Sequence, residues 1–186
     1  MLRKIEIAVE GVSPLLMHNS RLADPLNDFA IRLKEQTSKR NKTASDYEKV
    51  ARIEWEGGAY FSDDIGLYLP GENTEAGICN AAKKNRLGMQ AKTGVTVEDS
   101  PIKHVGGKTL EALWKDKRFV DRRGVVVQRN RVIRTRLKVP TPWSAVLVIS
   151  FNDSIIEEKQ VRQAVEVMGT LGHLDGRPKF GRFNVV

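Results

Sequence analysis

The order of elements in the sequence predicts an α+β fold. An alternating strand pattern from Lys4 to Glu10 is followed by two helical patterns, a hairpin and a third helix. The second half of the chain then predicts another hairpin, a strand, a helix and a closing strand. One ferredoxin-like (RRM-like) sheet with helices on one face fits this order. We therefore predict a single domain over residues 1–186, with residues 88–124 as an inserted segment or lobe.

Composition restricts the class of protein. The 186 residues are enough for one domain with a buried core. A mean hydropathy of −0.38, and no apolar run near the ~20 residues of a membrane span, predict a soluble cytoplasmic protein without a membrane partner. Cys79 is the only cysteine, which excludes an internal disulfide and a cysteine-based metal site. No nucleotide-cofactor or metal motif is present, so we expect neither a cofactor nor a metal.

The first half of the chain combines one amphipathic strand with two helices. Ile5, Ile7 and Val9 alternate with polar residues, which predicts a half-buried strand. A helix is predicted from Leu26 to Lys39, starting at Asp24-Pro25. A second helix is predicted from about Ser45 to Trp55 and ends at Gly57-Gly58. One side of this second helix carries apolar residues: Tyr47, Val50, Ala51 and Trp55.

A strand, a tight turn and a helix follow, over Leu69 to Ala82. A short hairpin, with strands at 59–61 and 66–69, leads into the turn at Pro70-Gly71. We predict Asn73 or Thr74 as the N-cap of the helix and Glu75 in its first turn. The free amides of this helix start could face an anionic ligand, or the segment could be an ordinary connection.

A strongly basic segment begins at Lys117. Up to Lys138 it contains nine Lys and Arg residues, against Asp116 and Asp121. Val125–Val127 and Val132–Val139 predict a hairpin with a turn at 128–131. The sequence predicts Arg134, Arg136 and Lys138 on one face, and Ile133, Leu137 and Val139 on the other. Such a cationic face favours a polyanion site over an ordinary solvated strand face.

The C-terminal unit is predicted as strand, helix, loop and strand. Trp143 to Phe151 is nearly continuous apolar sequence and predicts a central strand buried on both faces. Ser154 and Glu157 have the spacing of a capping box. The helix core positions are Val161, Val165, Met168 and Leu171. A glycine-rich loop from Gly172 leads into the closing strand at 182–186.

Two motifs, YLPGENTEAGICNAA at 68–82 and GHLDGRPKFGRF at 172–183, resemble the RAMP superfamily. This superfamily of RNA-binding proteins includes the Cas7-like and Cas6-like subunits of CRISPR complexes. The Ser13-Pro14-Leu15-Leu16 segment after the first strand is a third similarity. The resemblance implies a ferredoxin-like fold and single-stranded RNA as partner. It also implies assembly into a homo-oligomer or multi-subunit complex, or a stand-alone phage or mobile-element role.

The net charge of +8, from 31 Lys and Arg against 23 Asp and Glu, fits a polyanionic partner. We predict single-stranded nucleic-acid binding through backbone phosphates, with RNA favoured over DNA. The alternatives are a phage protein that binds single-stranded DNA in recombination, and a metal-independent endoribonuclease of the Cas6 type. The predicted binding residues are Arg129, Arg131, Arg134, Arg136, Lys138, Arg177, Lys179, Arg182, Gly71 and Asn73. The candidate catalytic residues of the nuclease alternative are His173 and His18.

Overall fold

The computed structural model describes all 186 residues and has an α+β fold with antiparallel sheets. The strands are β1 (Leu2–Gly11), β2 (Leu15–Leu16), β3 (Phe61–Ser62), β4 (Gly66–Leu69), β5 (Val95–Val97), β6 (Ser100–Pro101), β7 (Lys103–His104), β8 (Val120–Val127), β9 (Asn130–Val139), β10 (Trp143–Asn152) and β11 (Phe183–Val185). The α-helices are α1 (Asp28–Thr37), α2 (Ala44–Gly58), α3 (Gly71–Ala82), α4 (Gly88–Gly94), α5 (Leu110–Lys115) and α6 (Glu158–Leu171). None of these helices has the length and apolar character needed to cross a membrane.

The chain folds into two compact units, each built from separated segments. Unit 1 consists of Met1–Leu15, Phe61–Val105 and Val139–Val186. Unit 2 consists of Leu16–Tyr60 and Gly106–Lys138. The predicted inserted segment, residues 88–124, is divided between them, with 88–105 in unit 1 and 106–124 in unit 2.

Unit 1 is built around an antiparallel sheet with the strand order β11-β1-β10-β5, and β7 also pairs with β10. The alternation predicted for β1 is confirmed, since Ile5, Ile7 and Val9 are buried. The prediction that β10 is buried on both faces is wrong. Its residues alternate instead, with Leu147 buried and Val146 40% exposed. The even-numbered residues of β10, from Ser144 to Asn152, are half-buried or exposed, so one face of this strand stays open.

Helices α3 and α6 pack against each other in unit 1. Val161, Val165 and Met168 of α6 are buried as predicted, whereas Leu171 is 36% exposed at the end of the helix. Strands β1 and β5 lie on either side of β10, and helix α3 comes between them in the chain. In the same way, β10-α6-β11 links two strands on either side of β1. Unit 1 is therefore two interleaved β-α-β units, each split by a strand of the other.

Both predicted helix caps of unit 1 are wrong. Helix α3 begins at Gly71 with Pro70 as N-cap, so its first-turn acid is Glu72. Asp99 caps this helix from elsewhere in the chain, because its carboxylate accepts the Gly71 amide at 2.8 Å. The capping box of α6 is formed by Glu157 and Gln160, three residues later than predicted.

Unit 2 combines α1 and α2 with the β8–β9 hairpin. The N-terminus of α2 has a capping box of Thr43 and Asp46. Near its other end, the buried Trp55 indole donates to the Phe119 carbonyl at 2.9 Å. The predicted apolar side of α2 is only partly buried, since Tyr47 is 53% exposed. Helix α1 begins at Asp28 instead of Leu26, and none of its residues is buried.

Candidate nucleic-acid interface

The basic segment forms an antiparallel hairpin. Strands β8 and β9 pair from Val120 with Leu137 to Val127 with Asn130. The connecting residues Gln128 and Arg129 have φ angles of 48° and 69°, as a two-residue hairpin turn of type I′ requires. The inner face is buried at Leu137 and Val139 as predicted. Ile133, predicted on that face, is 55% exposed because it lies close to the hairpin tip.

The face that carries Arg134 and Arg136 is not purely cationic. Glu54 of α2 is buried, and its carboxylate accepts the Arg134 guanidinium at 2.5 Å and the Thr135 amide at 3.0 Å. The buried Asp121 lies opposite Arg136 in the register and accepts Arg123 at 2.7 Å. Two carboxylates therefore neutralise part of this face.

Sequence reasoning missed Glu54 because it lies 80 residues before Arg134. A signal was nevertheless present in the sequence. Glu54 follows Val50 by four residues and Ala51 by three, so it falls on the apolar side of α2. An acid at a core position of a helix requires a partner, and a basic strand can supply it.

The exposed cations of the hairpin are Arg122, Arg129 and Arg131. None of the three has a carboxylate partner, and Lys138 is half-buried and also has none. Arg122 and Arg131 lie on the opposite face from Arg134 and Arg136, since strand residues alternate between faces. The arginines that can contact phosphates thus lie at the turn and at the exposed part of the inner face, the face that also carries Ile133 and Leu137. Arg122 was not among the predicted binding residues.

A cavity of about 270 Å³ in unit 2 brings Arg134 and Arg136 together with His18. Leu22, Ala23 and Leu33 supply its apolar wall. His18 is exposed, and its backbone carbonyl accepts the Tyr60 hydroxyl at 3.3 Å. His18 thus lines a cavity with two cationic side chains, and the Glu54 carboxylate that pairs with Arg134 lines the same cavity.

The other catalytic candidate, His173, is a buried core residue of unit 1. It is 2% exposed, and its Nε2 lies 3.2 Å from the hydroxyl of Thr74 in α3. Burial, with a smaller contribution from Arg177, lowers the pKa of His173 to about 4. The imidazole is therefore neutral at pH 7 and shielded from solvent, as expected for a group that joins α3 to the glycine-rich loop.

The remaining predicted binding residues all lie in unit 1. Arg177, Lys179 and Arg182 of the glycine-rich loop are exposed. The Gly71 amide already donates to Asp99, so this helix start is occupied by a carboxylate of the protein itself. Asn73 is half-buried in the first turn of α3. No group of three or more His, Cys, Asp or Glu side chains is placed to hold a metal ion.

Charge is divided very unequally between the two units. Unit 2 has 19 Lys and Arg against 10 Asp and Glu, a net charge of +9. Unit 1 has 12 Lys and Arg against 13 Asp and Glu, a net charge of −1. The excess positive charge of the chain is therefore a property of unit 2.

A comparison with protein-family models and a comparison with curated proteins each found no match to this chain.

Proposed function

We propose that this protein binds single-stranded nucleic acid, with RNA favoured over DNA, through phosphate contacts of the β8–β9 hairpin. The observation that carries the proposal is the net charge of +9 on unit 2, together with three exposed hairpin arginines that have no carboxylate partner. Neutralising phosphates releases the counterions condensed on the nucleic acid, so such arginines bind a polyanion with little dependence on its sequence.

We further propose that the chain is a RAMP-like protein with a ferredoxin-like unit 1. The strand order β11-β1-β10-β5 and the two interleaved split β-α-β units support this assignment. A Cas7-like subunit would assemble with copies of itself, in a CRISPR complex or as a stand-alone phage protein. A single-stranded-DNA-binding role in recombination would use the same hairpin, and the ratio of RNA to DNA affinity distinguishes the two.

Unit 1 provides little of what base recognition needs. RRM-type sheets bind RNA by stacking bases on aromatic side chains of the open face. The open face of the unit 1 sheet has Lys4, Glu6 and Ala8 on β1 and residues such as Val146 on β10, with no aromatic side chain. This composition supports placing the nucleic-acid contacts on unit 2.

The proposal is tested with fluorescence anisotropy of labelled single-stranded 30-mers of RNA and DNA across a salt series. The wild-type protein should bind with a steep salt dependence. Replacing Arg122, Arg129 and Arg131 by Gln should weaken binding and reduce the slope of log K against log[salt] by about 2, since each single-strand phosphate contact contributes about 0.7.

A matched control removes three positive charges from unit 1, with Lys83, Lys84 and Lys92 replaced by Gln. All three lysines are exposed, as the three arginines are. Both triple variants remove three positive charges, so they differ only in the unit that loses them. The control should keep the wild-type slope. Equal losses in the two triple variants would mean that total charge, and not the hairpin, determines binding.

Metal-independent RNA cleavage is the second candidate function, favoured by the cavity that His18 and Arg136 line together. An imidazole can transfer protons, and a guanidinium can stabilise the charge that develops on a phosphate. Gels of the same RNA samples test this candidate. Shortened RNA that disappears with His18→Ala, while binding persists, would establish it, and intact RNA would exclude it.

A further inference from the structure

A groove in unit 2 lies between α2 and the hairpin. Its volume is about 350 Å³, and its lining includes Tyr47 and Val50 of α2, Ile133 of β9, Arg122 of β8 and Lys42. On α2 the lining residues Tyr47, Val50, Ala51 and Glu54 have helical spacing, so they form one side of the helix. This side is buried at Ala51 and Glu54 and becomes exposed toward Tyr47.

Tyr47 is the only aromatic residue of the chain whose side chain is exposed. It is 53% exposed, and Ile133, which lines the same groove, is 55% exposed. Burying such side chains in the core would stabilise the fold, so their exposure in one groove indicates a surface for a ligand. The groove lies in the unit that carries the net charge of +9.

We propose that this groove binds one unstacked base of a single-stranded nucleic acid, with the base stacked on Tyr47. The proposal rests on the proposed function and adds a base contact to its phosphate contacts. Lys42 and Arg122 line the groove and provide positive charge for the phosphates on either side of the base. The apolar side chains of Val50 and Ile133 suit the flat faces of a base.

The size and chemistry of the groove favour a base over other ligands. A volume of about 350 Å³ is at the lower end of the range for ligand pockets, about 300–1,000 Å³, and therefore fits one nucleotide. Every base has a π-face, so stacking on a single tyrosine tolerates any sequence. An acidic peptide could also pair with Lys42 and Arg122, but its carboxylates would not stack on the ring of Tyr47.

The test compares Tyr47→Ala and Tyr47→Phe in the anisotropy assay with the single-stranded 30-mer. Tyr47→Ala should weaken binding by about 5- to 150-fold, the range that follows from about 1–3 kcal/mol per stacked base. Tyr47→Phe keeps the ring and should stay within about twofold of the wild type. Neither change removes a phosphate contact, so the salt slope should remain that of the wild type.

An abasic 30-mer separates base contacts from backbone contacts. On this oligomer the wild type and Tyr47→Ala should bind equally. Leu26→Ala, which removes an apolar side chain that is 86% exposed and does not line the groove, is the matched control and should have no effect. Unchanged melting of Tyr47→Ala would show that the fold is intact.

Three outcomes would overturn the proposal. The first is wild-type affinity of Tyr47→Ala for the normal 30-mer while the wild type still binds with a steep salt slope, which leaves the proposed function in place. The second is an equal loss on the abasic oligomer. The third is a change in the oligomeric mass of Tyr47→Ala with unchanged nucleic-acid binding, which would assign the groove to a second copy of the chain. A wild type that binds no oligomer at low salt would instead remove the proposed function itself.

Discussion

The two units of this protein differ in both charge and construction. Unit 1, with a net charge of −1, is built on an antiparallel sheet whose core is apolar. Unit 2 has a net charge of +9, and charged side chains form ion pairs and hydrogen bonds within it. The Arg21 guanidinium, for example, donates to the carbonyls of Glu56, Gly57 and Ala59 at the end of α2. The cations of unit 2 therefore have two roles, one in the fold and one at the surface.

Arg134 and Arg131 illustrate these two roles within one strand. Arg134 is half-buried and bonded to the buried Glu54, whereas Arg131 is exposed and has no carboxylate partner. The sequence pattern alone predicts that both arginines bind phosphate. A cationic side chain of the hairpin can therefore bind phosphate only where it is not already paired with a carboxylate of the protein.

The largest expected effect separates these two arginines. Arg134→Ala should reduce the free energy of unfolding of the protein by about 3 kcal/mol, because it leaves the buried Glu54 carboxylate with only the Thr135 amide as partner. Arg131→Ala should change it by less than about 0.5 kcal/mol, as for most surface substitutions. Urea-induced unfolding measures both values.

The double variant Glu54→Gln with Arg134→Ala tests the cause. Without the buried charge, the loss caused by Arg134→Ala should shrink by more than about 1 kcal/mol, as coupled residues show in double-mutant cycles. Additive losses would mean that the two side chains are not coupled. Equal destabilisation by Arg134→Ala and Arg131→Ala would remove the distinction between structural and exposed cations.

The next expected effect is the pH dependence of the free energy of unfolding that arises from His173 in unit 1. The pKa of His173 is about 4 in the folded protein and 6.5 in the unfolded chain, so only the unfolded state binds a proton between these values. The stabilisation is complete above pH 6.5 and is lost as the pH falls toward 4. The loss should reach about 3 kcal/mol near pH 4, from 1.36 kcal/mol for each pH unit.

His173→Gln isolates this contribution from that of the carboxylates. The variant keeps a polar side chain near Thr74 but does not titrate. The stability difference between wild type and variant, measured by urea unfolding from pH 7 to pH 4, should therefore move steadily in favour of the variant. A difference that is constant with pH would mean that the imidazole titrates equally in both states, and hence that it is accessible to solvent.

Local patterns in the sequence predicted the elements whose form depends on short-range contacts. The alternation in β1 placed Ile5, Ile7 and Val9 in the core, and the basic hairpin formed with its turn near Gln128. The predictions that failed depended on distant residues. Whether β10 is covered on one face or two, and which group caps α3, is decided by elements far along the chain, such as Asp99 for α3.

The candidate site was predictable only in part, for the same reason. The excess of arginine between 117 and 138 identified the hairpin, but not which of its arginines are exposed. That depends on Glu54, which comes from α2 and selects Arg134 and Thr135 as partners. Tyr47 was placed on the apolar side of α2 by its spacing, and only the structure shows that this side is uncovered at Tyr47.

The smallest expected effect tests whether unit 1 contributes to binding. Val146→Glu places a negative charge on the open face of the unit 1 sheet, at a position that is 40% exposed and pairs with Ala8. If the hairpin of unit 2 carries the phosphate contacts, the affinity for a single-stranded 30-mer should change by less than about twofold, because the substitution leaves every hairpin cation in place. A loss of tenfold or more would place the nucleic acid on the sheet face, as in RRM-type recognition. It would then be unit 1 that binds, despite its net charge of −1, and the excess charge of unit 2 would need another explanation.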